Sequence, residues 1–327
     1  NFLSSLSPFA SKPLVLTGKE GLLKRPVGEI VNGLRQLGAD ISYKENESFP
    51  PLVIKPSRLR GGKTVMQGSK TSQYFSSLTI ASALAENDVE IICSDQMSEK
   101  PYYDITLEMM EKFGVKAQNY DYKRMVIKSG QTYKPLNLTI EGDYSSSSYF
   151  FEAAAICGIE VVLHNMNENS VQGDKKIIDY MKDMGCTVEK KDDCLVVKGG
   201  TLKPLTTDCN GTPDLVPTLA VCAAFADGKS LLKNVAHLRF KECDRITAVC
   251  NELQKMGIKA CLEGNDLAVY GDKKAVRAAD IHSYNDHRIA MSFAVPGLVL
   301  KGQTIDNPSC VSKSFPNFWE VFNVFSS

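Results

Sequence analysis

The sequence predicts an α/β fold in two lobes, and three observations carry that prediction. First, a helix-like apolar pattern ends on glycine four times, in LRQLGADISY, MEKFGVKAQN, MKDMGCTVEK and LQKMGIKACL, with the glycines at Gly38, Gly114, Gly185 and Gly257. The intervals of 76, 71 and 72 residues mark one reused structural unit. Second, four apolar segments that open on hydroxyl or acidic residues lie between those helices, starting at Thr71, Ser145, Thr212 and Asn285. Third, the short runs PLVLTG, VEIICS, IEVVLH and SLLKNV have strand composition and precede the amphipathic helices.

Each element follows from local chemistry. A glycine just past a helix accepts the left-handed conformation that its C-terminus needs, and a β-like run follows at once. The segments from Thr71, Ser145, Thr212 and Asn285 carry Ser, Thr, Asp or Asn where N-caps are preferred, and their bodies are too apolar for surface helices. The unit therefore reads as strand, loop, amphipathic helix, strand, strand, buried helix. Strands alternating with helices at this spacing predict α/β.

Both ends interrupt the period. NFLSSLSPFASKPLVLTG parallels YFSSLTIASALAENDVEIICS, which puts Asn1 inside a buried helix, and SFPNFWEVFNVFSS reads as an amphipathic helix without return strands. The expectation is that an N-terminal segment of roughly 70–100 residues is missing and completes the last unit. A lobe boundary is expected near Glu141–Asp143, where the strand NLTIEG ends and a helix begins after four serines, giving lobes 1–142 and 143–327.

Composition narrows the function. Lys plus Arg and Asp plus Glu both number 38, so no bulk charge points to nucleic acid or a membrane surface. No apolar run has the length of a membrane span. The ten cysteines form no CxxC pair and sit mostly in apolar runs, which reads as reduced thiols in the cytoplasm. The four histidines lack ligand spacing, so a structural metal is not expected.

Four stretches carry candidate chemistry. In Leu238–Arg245 both signs of charge crowd the start of an amphipathic helix; this is either a solvated first turn or a binding cluster. Ser283–Arg288 stands at the mouth of the nearly all-apolar IAMSFAV, where Asn285 or Asp286 would cap the helix. A His-Arg pair beside a buried surface is costly unless an anion is met there. Lys24-Arg25-Pro26 precedes a helix, with Pro26 suited to its first position. In Lys70-Thr71-Ser72-Gln73 the hydroxyls, the amide and the free N–H groups of a helix start either cap the helix or converge on a phosphate. Lys313 occupies the analogous loop of the last unit. Gathering Arg25, Lys241, Arg245, Arg288 and Lys313 around one cleft suits anionic small molecules.

KRPVGEIVNGL, EGDYSSSSYFFEAAA, RFKECDR, SYNDHRIAM and SKSFP, in this order along the chain, closely resemble the enolpyruvyl transferases. Asn-Asp-His-Arg-Ile-Ala-Met looks like the shikimate-pathway branch rather than the UDP-N-acetylglucosamine branch. The resemblance implies two lobes built from βαβαββ units with threefold pseudosymmetry, and a monomer. It implies transfer of the enolpyruvyl group of phosphoenolpyruvate to shikimate 3-phosphate through a tetrahedral intermediate, and it implies no metal or organic cofactor. Thr71, Ser72, Gln73, Asp214, His237 and Lys241 match the shikimate 3-phosphate ligands; Arg25, Gln73, Arg245, Arg288 and Lys313 match those of phosphoenolpyruvate. Asp214, Lys241 and Glu242 match the proton-transfer groups, with the division of roles open. Two positions depart from the family pattern. His237 replaces a common asparagine, and Glu99 stands where a serine usually meets the substrate phosphate, so either Ser98 shifts in or that contact is lost. The alternatives are the UDP-N-acetylglucosamine reaction and a non-catalytic phosphate-binding fragment.

Overall fold

The computed structural model describes residues 1–192 and 194–326 and divides into two compact units, Asn1–Thr139 and Ile140–Ser327. In the first unit the elements, numbered in chain order, are α1 (Phe2–Leu6), β1 (Leu14–Leu16), α2 (Glu20–Leu23), α3 (Gly28–Gln36), β2 (Asp40–Tyr43) and β3 (Leu52–Lys55). They continue with β4 (Gly62–Met66), α4 (Gln73–Ser82), β5 (Val89–Cys93), α5 (Lys100–Lys112), β6 (Ala117–Tyr120) and β7 (Arg124–Ile127). Strands pair in the orders β1-β3-β2 and β4-β5-β7-β6. β4 and β5 run parallel across the connecting helix α4, and β7 then pairs antiparallel with both β5 and β6. Apolar faces of α3 and α4, including Ile30, Leu34, Phe75 and Leu78, form the core with Ile91 and Met125 of the sheet.

The second unit repeats this wiring. It contains α6 (Tyr144–Cys157), β8 (Glu160–His164), α7 (Ile177–Asp183), β9 (Thr187–Lys191), β10 (Cys194–Lys198), β11 (Thr206–Asp208), α8 (Val216–Ala224) and β12 (Gly228–Lys233). α9 (Arg245–Lys255), β13 (Lys259–Glu263), β14 (Asp266–Gly271), β15 (Asp280–Ile281), α10 (His287–Ala294), β16 (Thr304–Ile305) and α11 (Phe318–Phe322) complete it. The order β11-β12-β14-β13 reproduces β4-β5-β7-β6, including the parallel first pair. Three helices, α6, α8 and α10, are buried together at the centre, one from each repeat. A chain of hydroxyls joins them: Ser148 lies 3.2 Å from Thr218, and Thr218 lies 3.2 Å from Ser292.

The four glycines that define the period adopt φ between +86° and +100°, the left-handed turn expected after each amphipathic helix. The period also fixes close approaches. A Cβ on Gly199, after β10, would lie 2.1 Å from the Ala154 carbonyl, and one on Gly271, at the end of β14, 2.0 Å from that of Ala223. Only glycine lets each sheet lie that close to its buried helix.

Three sequence expectations need correction. NLTIEG is not a strand: it has no ladder partner among the described residues, and bonds such as Gly142 N to Asn165 O, 2.7 Å, stay isolated. The four serines lie inside α6 rather than before it, since Asp143 caps the helix by accepting from the Ser145 and Ser146 amides. The terminal helix is one short turn, α11, followed by a 3-10 turn, and its aromatic rings Phe318 and Phe322 pack face to face at 5.2 Å.

Glu152 stands in the middle of α6, fully buried, with Thr218 as a polar neighbour. Burial pushes its carboxyl well above the ordinary value, a shift that Thr218 offsets only in part. The folded state therefore holds a proton that the unfolded chain gives up, so stability falls as pH rises above the normal glutamate range. Glu152→Gln removes this linkage. Urea unfolding from pH 5 to 8 should show the variant gaining on the parent protein by up to about 1.4 kcal/mol per pH unit; parallel pH profiles would contradict the assignment.

Candidate active site

The helix starts carry the candidate side chains, because caps and free N–H groups gather there. In the first unit, Ser72 precedes α4 but does not cap it; its hydroxyl donates to the Glu99 carbonyl at 2.9 Å. The Thr71 hydroxyl donates to Glu99 Oε2 at 2.9 Å and accepts from the Gln73 amide at 3.2 Å. Asn1 Nδ2 donates to Gln73 Oε1 at 2.9 Å. Ser98 does not replace a serine at position 99: its hydroxyl donates to the Ser69 carbonyl at 2.6 Å. Arg25 is anchored nearby through the next residue, because the Tyr74 hydroxyl of α4 donates to the Pro26 carbonyl at 2.8 Å. Pro26 itself lies outside α3, which begins at Gly28 after an N-cap at Val27.

The second unit concentrates charge. Arg245 opens α9, and its side chain is only 1% exposed. Nε donates to Asp286 Oδ2 at 2.7 Å, Nη1 to Asp214 Oδ1 at 2.8 Å and Nη2 to Glu242 Oε2 at 2.7 Å. Arg288 donates from Nη2 to Asp214 Oδ2 at 2.7 Å and from Nη1 to the Tyr149 hydroxyl at 3.3 Å. Lys313 closes the network with a short ion pair to Glu242 Oε1. Asp286 also caps α10 by accepting from the Arg288 amide at 2.8 Å, so capping and charge clustering are both realised there. His237 is buried in the 3-10 turn Ala236–Phe240 that leads to Lys241.

Electrostatics separates these groups. Burial disfavours the Asp214 charge, but Arg288, Arg245 and Lys241 outweigh it and hold the carboxyl far below its usual value. Burial works against the charge of Arg245 too, yet Asp286, Asp214 and Glu242 raise its pKa. His287 is lowered to about 4 by burial, then by Arg288, and stays neutral near pH 7. Asp174 escaped sequence reasoning. It is buried, accepts from the Ser145 hydroxyl, and is raised to about 7 by burial and then by the charge of Asp214. Its place in a 3-10 turn within the polar run VQGDKK gave no signal.

Asp214, Glu242, Arg245, Arg288 and Lys313 are thus joined in one network in the second unit, with Lys241 acting on Asp214. Thr71, Ser72 and Gln73 form a second group at the start of α4, beside the turn between α2 and α3 that holds Arg25.

The sequence model of the family described as EPSP synthase (3-phosphoshikimate 1-carboxyvinyltransferase) matches residues 1–322. The chain belongs to the EPSP synthase family. It is 41% identical over 313 residues to a 3-phosphoshikimate 1-carboxyvinyltransferase of Shewanella halifaxensis, covering 95% of this chain and 73% of that one. The corresponding protein of Shewanella pealeana is 41% identical over 309 residues, 94% of this chain and 72% of its own. A solved EPSP synthase from Acinetobacter baumannii superposes with a TM-score of 0.81 at 29% identity, over 99% of this chain and 76% of that structure. The two-lobed enolpyruvyl transferase fold of the EPSP synthases is therefore the fold of this chain. No helix among the described residues is long and apolar enough to cross a membrane.

The Arg245 network makes a stability prediction for this EPSP synthase family member. Asp286 is fully buried, and removing it leaves the Arg245 guanidinium short of one carboxylate and α10 without its cap. Asp286→Ala should cost about 3 kcal/mol in urea unfolding, the scale of a broken buried pair; a loss below about 1 kcal/mol, the scale of a lost cap alone, would show that Arg245 does not depend on it.

Proposed function

We propose that the chain is the catalytic polypeptide of an enolpyruvyl transfer from phosphoenolpyruvate to the 5-hydroxyl of shikimate 3-phosphate, a step of aromatic amino acid biosynthesis. The supporting observation is that Arg245 and Arg288 both grip Asp214 at 2.7–2.8 Å. Guanidinium forks suit phosphate and carboxylate groups, and here they are held in place by internal carboxylates until such a ligand arrives.

The chemistry follows from the charge state. While two arginines hold it, Asp214 is ionised but a weak base. When the phosphate and carboxylate of phosphoenolpyruvate take up Arg288, Arg245, Arg25 and Lys313, Asp214 loses opposing charge and gains basicity. It then accepts the 5-hydroxyl proton as that oxygen bonds to C2 of phosphoenolpyruvate. As Arg245 and Lys313 turn to the ligand, the Glu242 carboxylate takes a proton from solvent and delivers it to the C3 methylene, completing a tetrahedral ketal whose negative charge the same cations offset. In the second half the methyl group returns a proton to Glu242, the C2–O bond to phosphate breaks, and the departing phosphate takes the proton that Asp214 had accepted, which restores the carboxylate. Lys241 and His237 border the hydroxyl region, and Thr71, Ser72 and Gln73 hold the shikimate phosphate and ring.

Ten free thiols fit a reducing cytoplasm, and a monomer suffices because the chain itself supplies each of these residues. In the full-length natural protein, phosphate release should require both shikimate 3-phosphate and phosphoenolpyruvate, and UDP-N-acetylglucosamine should not substitute. Asp214→Ala should lower kcat by about 10²–10⁴ with the fold retained by circular dichroism; near-normal turnover would reject its role as base.

A further inference from the structure

We propose that the Glu99 carboxylate is a built-in occupant of the anion seat at the start of α4, and that it sets how tightly this chain holds the phosphate of shikimate 3-phosphate. The inference rests on the reading of Thr71, Ser72 and Gln73 as substrate contacts.

Glu99 is only 2% exposed and sits in the left-handed conformation, φ 56°, at the residue before α5. An N-cap glutamate has an obvious task, but this side chain makes no capping bond to its own helix. It reaches instead across 28 positions of sequence to accept the Thr71 hydroxyl at 2.9 Å. Its carbonyl takes the Ser72 hydroxyl at the same distance. One residue therefore absorbs both hydroxyl protons that the helix start offers to a ligand. The cation next in sequence is turned to another task, with the Lys100 ammonium 4.9 Å from the Tyr122 ring centre.

A hydroxyl has one proton to donate. Because the Thr71 oxygen also accepts from the Gln73 amide, its proton can go to the carboxylate or to a phosphate oxygen, not to both. Carboxylate and phosphate carry the same sign of charge, so close coexistence is repulsive as well. The seat opens when Glu99 swings out, and the observed affinity is the intrinsic affinity reduced by the fraction of molecules in which it has done so. The neighbouring hydroxyl does not remedy this, since Ser98 is committed to the Ser69 carbonyl at 2.6 Å.

The competition acts on the phosphate end of the substrate alone, which gives the test its discrimination. Dissociation constants for shikimate 3-phosphate and for unphosphorylated shikimate are measured by titration calorimetry on the full-length natural protein, Glu99→Gln and Thr71→Val. Glutamine keeps the size of the side chain and removes its charge; Glu99→Ser is scored the same way if circular dichroism shows that the glutamine variant does not fold. The expected result is that Glu99→Gln raises the preference for the phosphorylated ligand at least tenfold, while Thr71→Val lowers it. If Thr71→Val lowers the preference but the Glu99 variant leaves it unchanged or reduces it, the Glu99 proposal is overturned and the reading of Thr71 stands. If Thr71→Val changes nothing, the substrate-contact reading fails and the proposal falls with it.

Discussion

The second unit is organised by one buried guanidinium. Arg245 is 1% exposed and bonds Asp214, Glu242 and Asp286, residues contributed by the turn before α8, the turn before α9 and the cap of α10. Removing a charge from water costs several kcal/mol, so the side chain is tolerated there only because carboxylates meet its donors. Those bonds hold the helix starts of successive repeats at fixed distances. Packing secures the other side of the same helices, where Ala153, Ala220 and Ala290 let α6, α8 and α10 approach closely. The site and the core are thus two ends of one threefold arrangement.

Stability alone does not account for such a network, because well-packed apolar residues of similar volume do at least as well. Its value lies in preorganisation. The described network of Arg245, Arg288, Lys313, Asp214, Glu242 and Asp286 balances three cations against three carboxylates, and Lys241 adds a further positive charge. In the proposed reaction an arriving anion replaces an internal carboxylate partner without having to order long, solvated side chains. Thr71 and Ser72 show the same principle in the first unit, where Glu99 supplies the internal acceptors.

Much of this was legible in the sequence, for a physical reason. A period of about 72 residues multiplies each weak local signal, so four glycines and four strand runs corroborated one another, and the left-handed φ values of Gly38, Gly114, Gly185 and Gly257 follow. Where a run met no ladder partner, propensity misled. NLTIEG has strand composition, but a strand needs ladder partners, and residues 137–142 are not paired into a sheet. The charged stretch Leu238–Arg245 was ambiguous because exposure decides between a solvated turn and a binding cluster, and exposure is a tertiary property. Asp174 was invisible for the same reason: its side-chain partner Ser145 lies 29 residues away.

Asp174 and Asp214 illustrate how one fold gives two identical side chains different chemistry. Asp174 is buried and Asp214 is 18% exposed at its side chain, yet Asp174 rises to about 7 whereas Asp214 is held far below the carboxylate range. Burial raises both; only Asp214 has guanidinium groups bonded to it to reverse the effect. Its basicity is therefore set by where the arginines are, and an anion that draws them away strengthens the base at that moment. In the proposed reaction, ligand capture and activation of the proton acceptor are then a single event, which keeps Asp214 charged and inert until the second reactant is present.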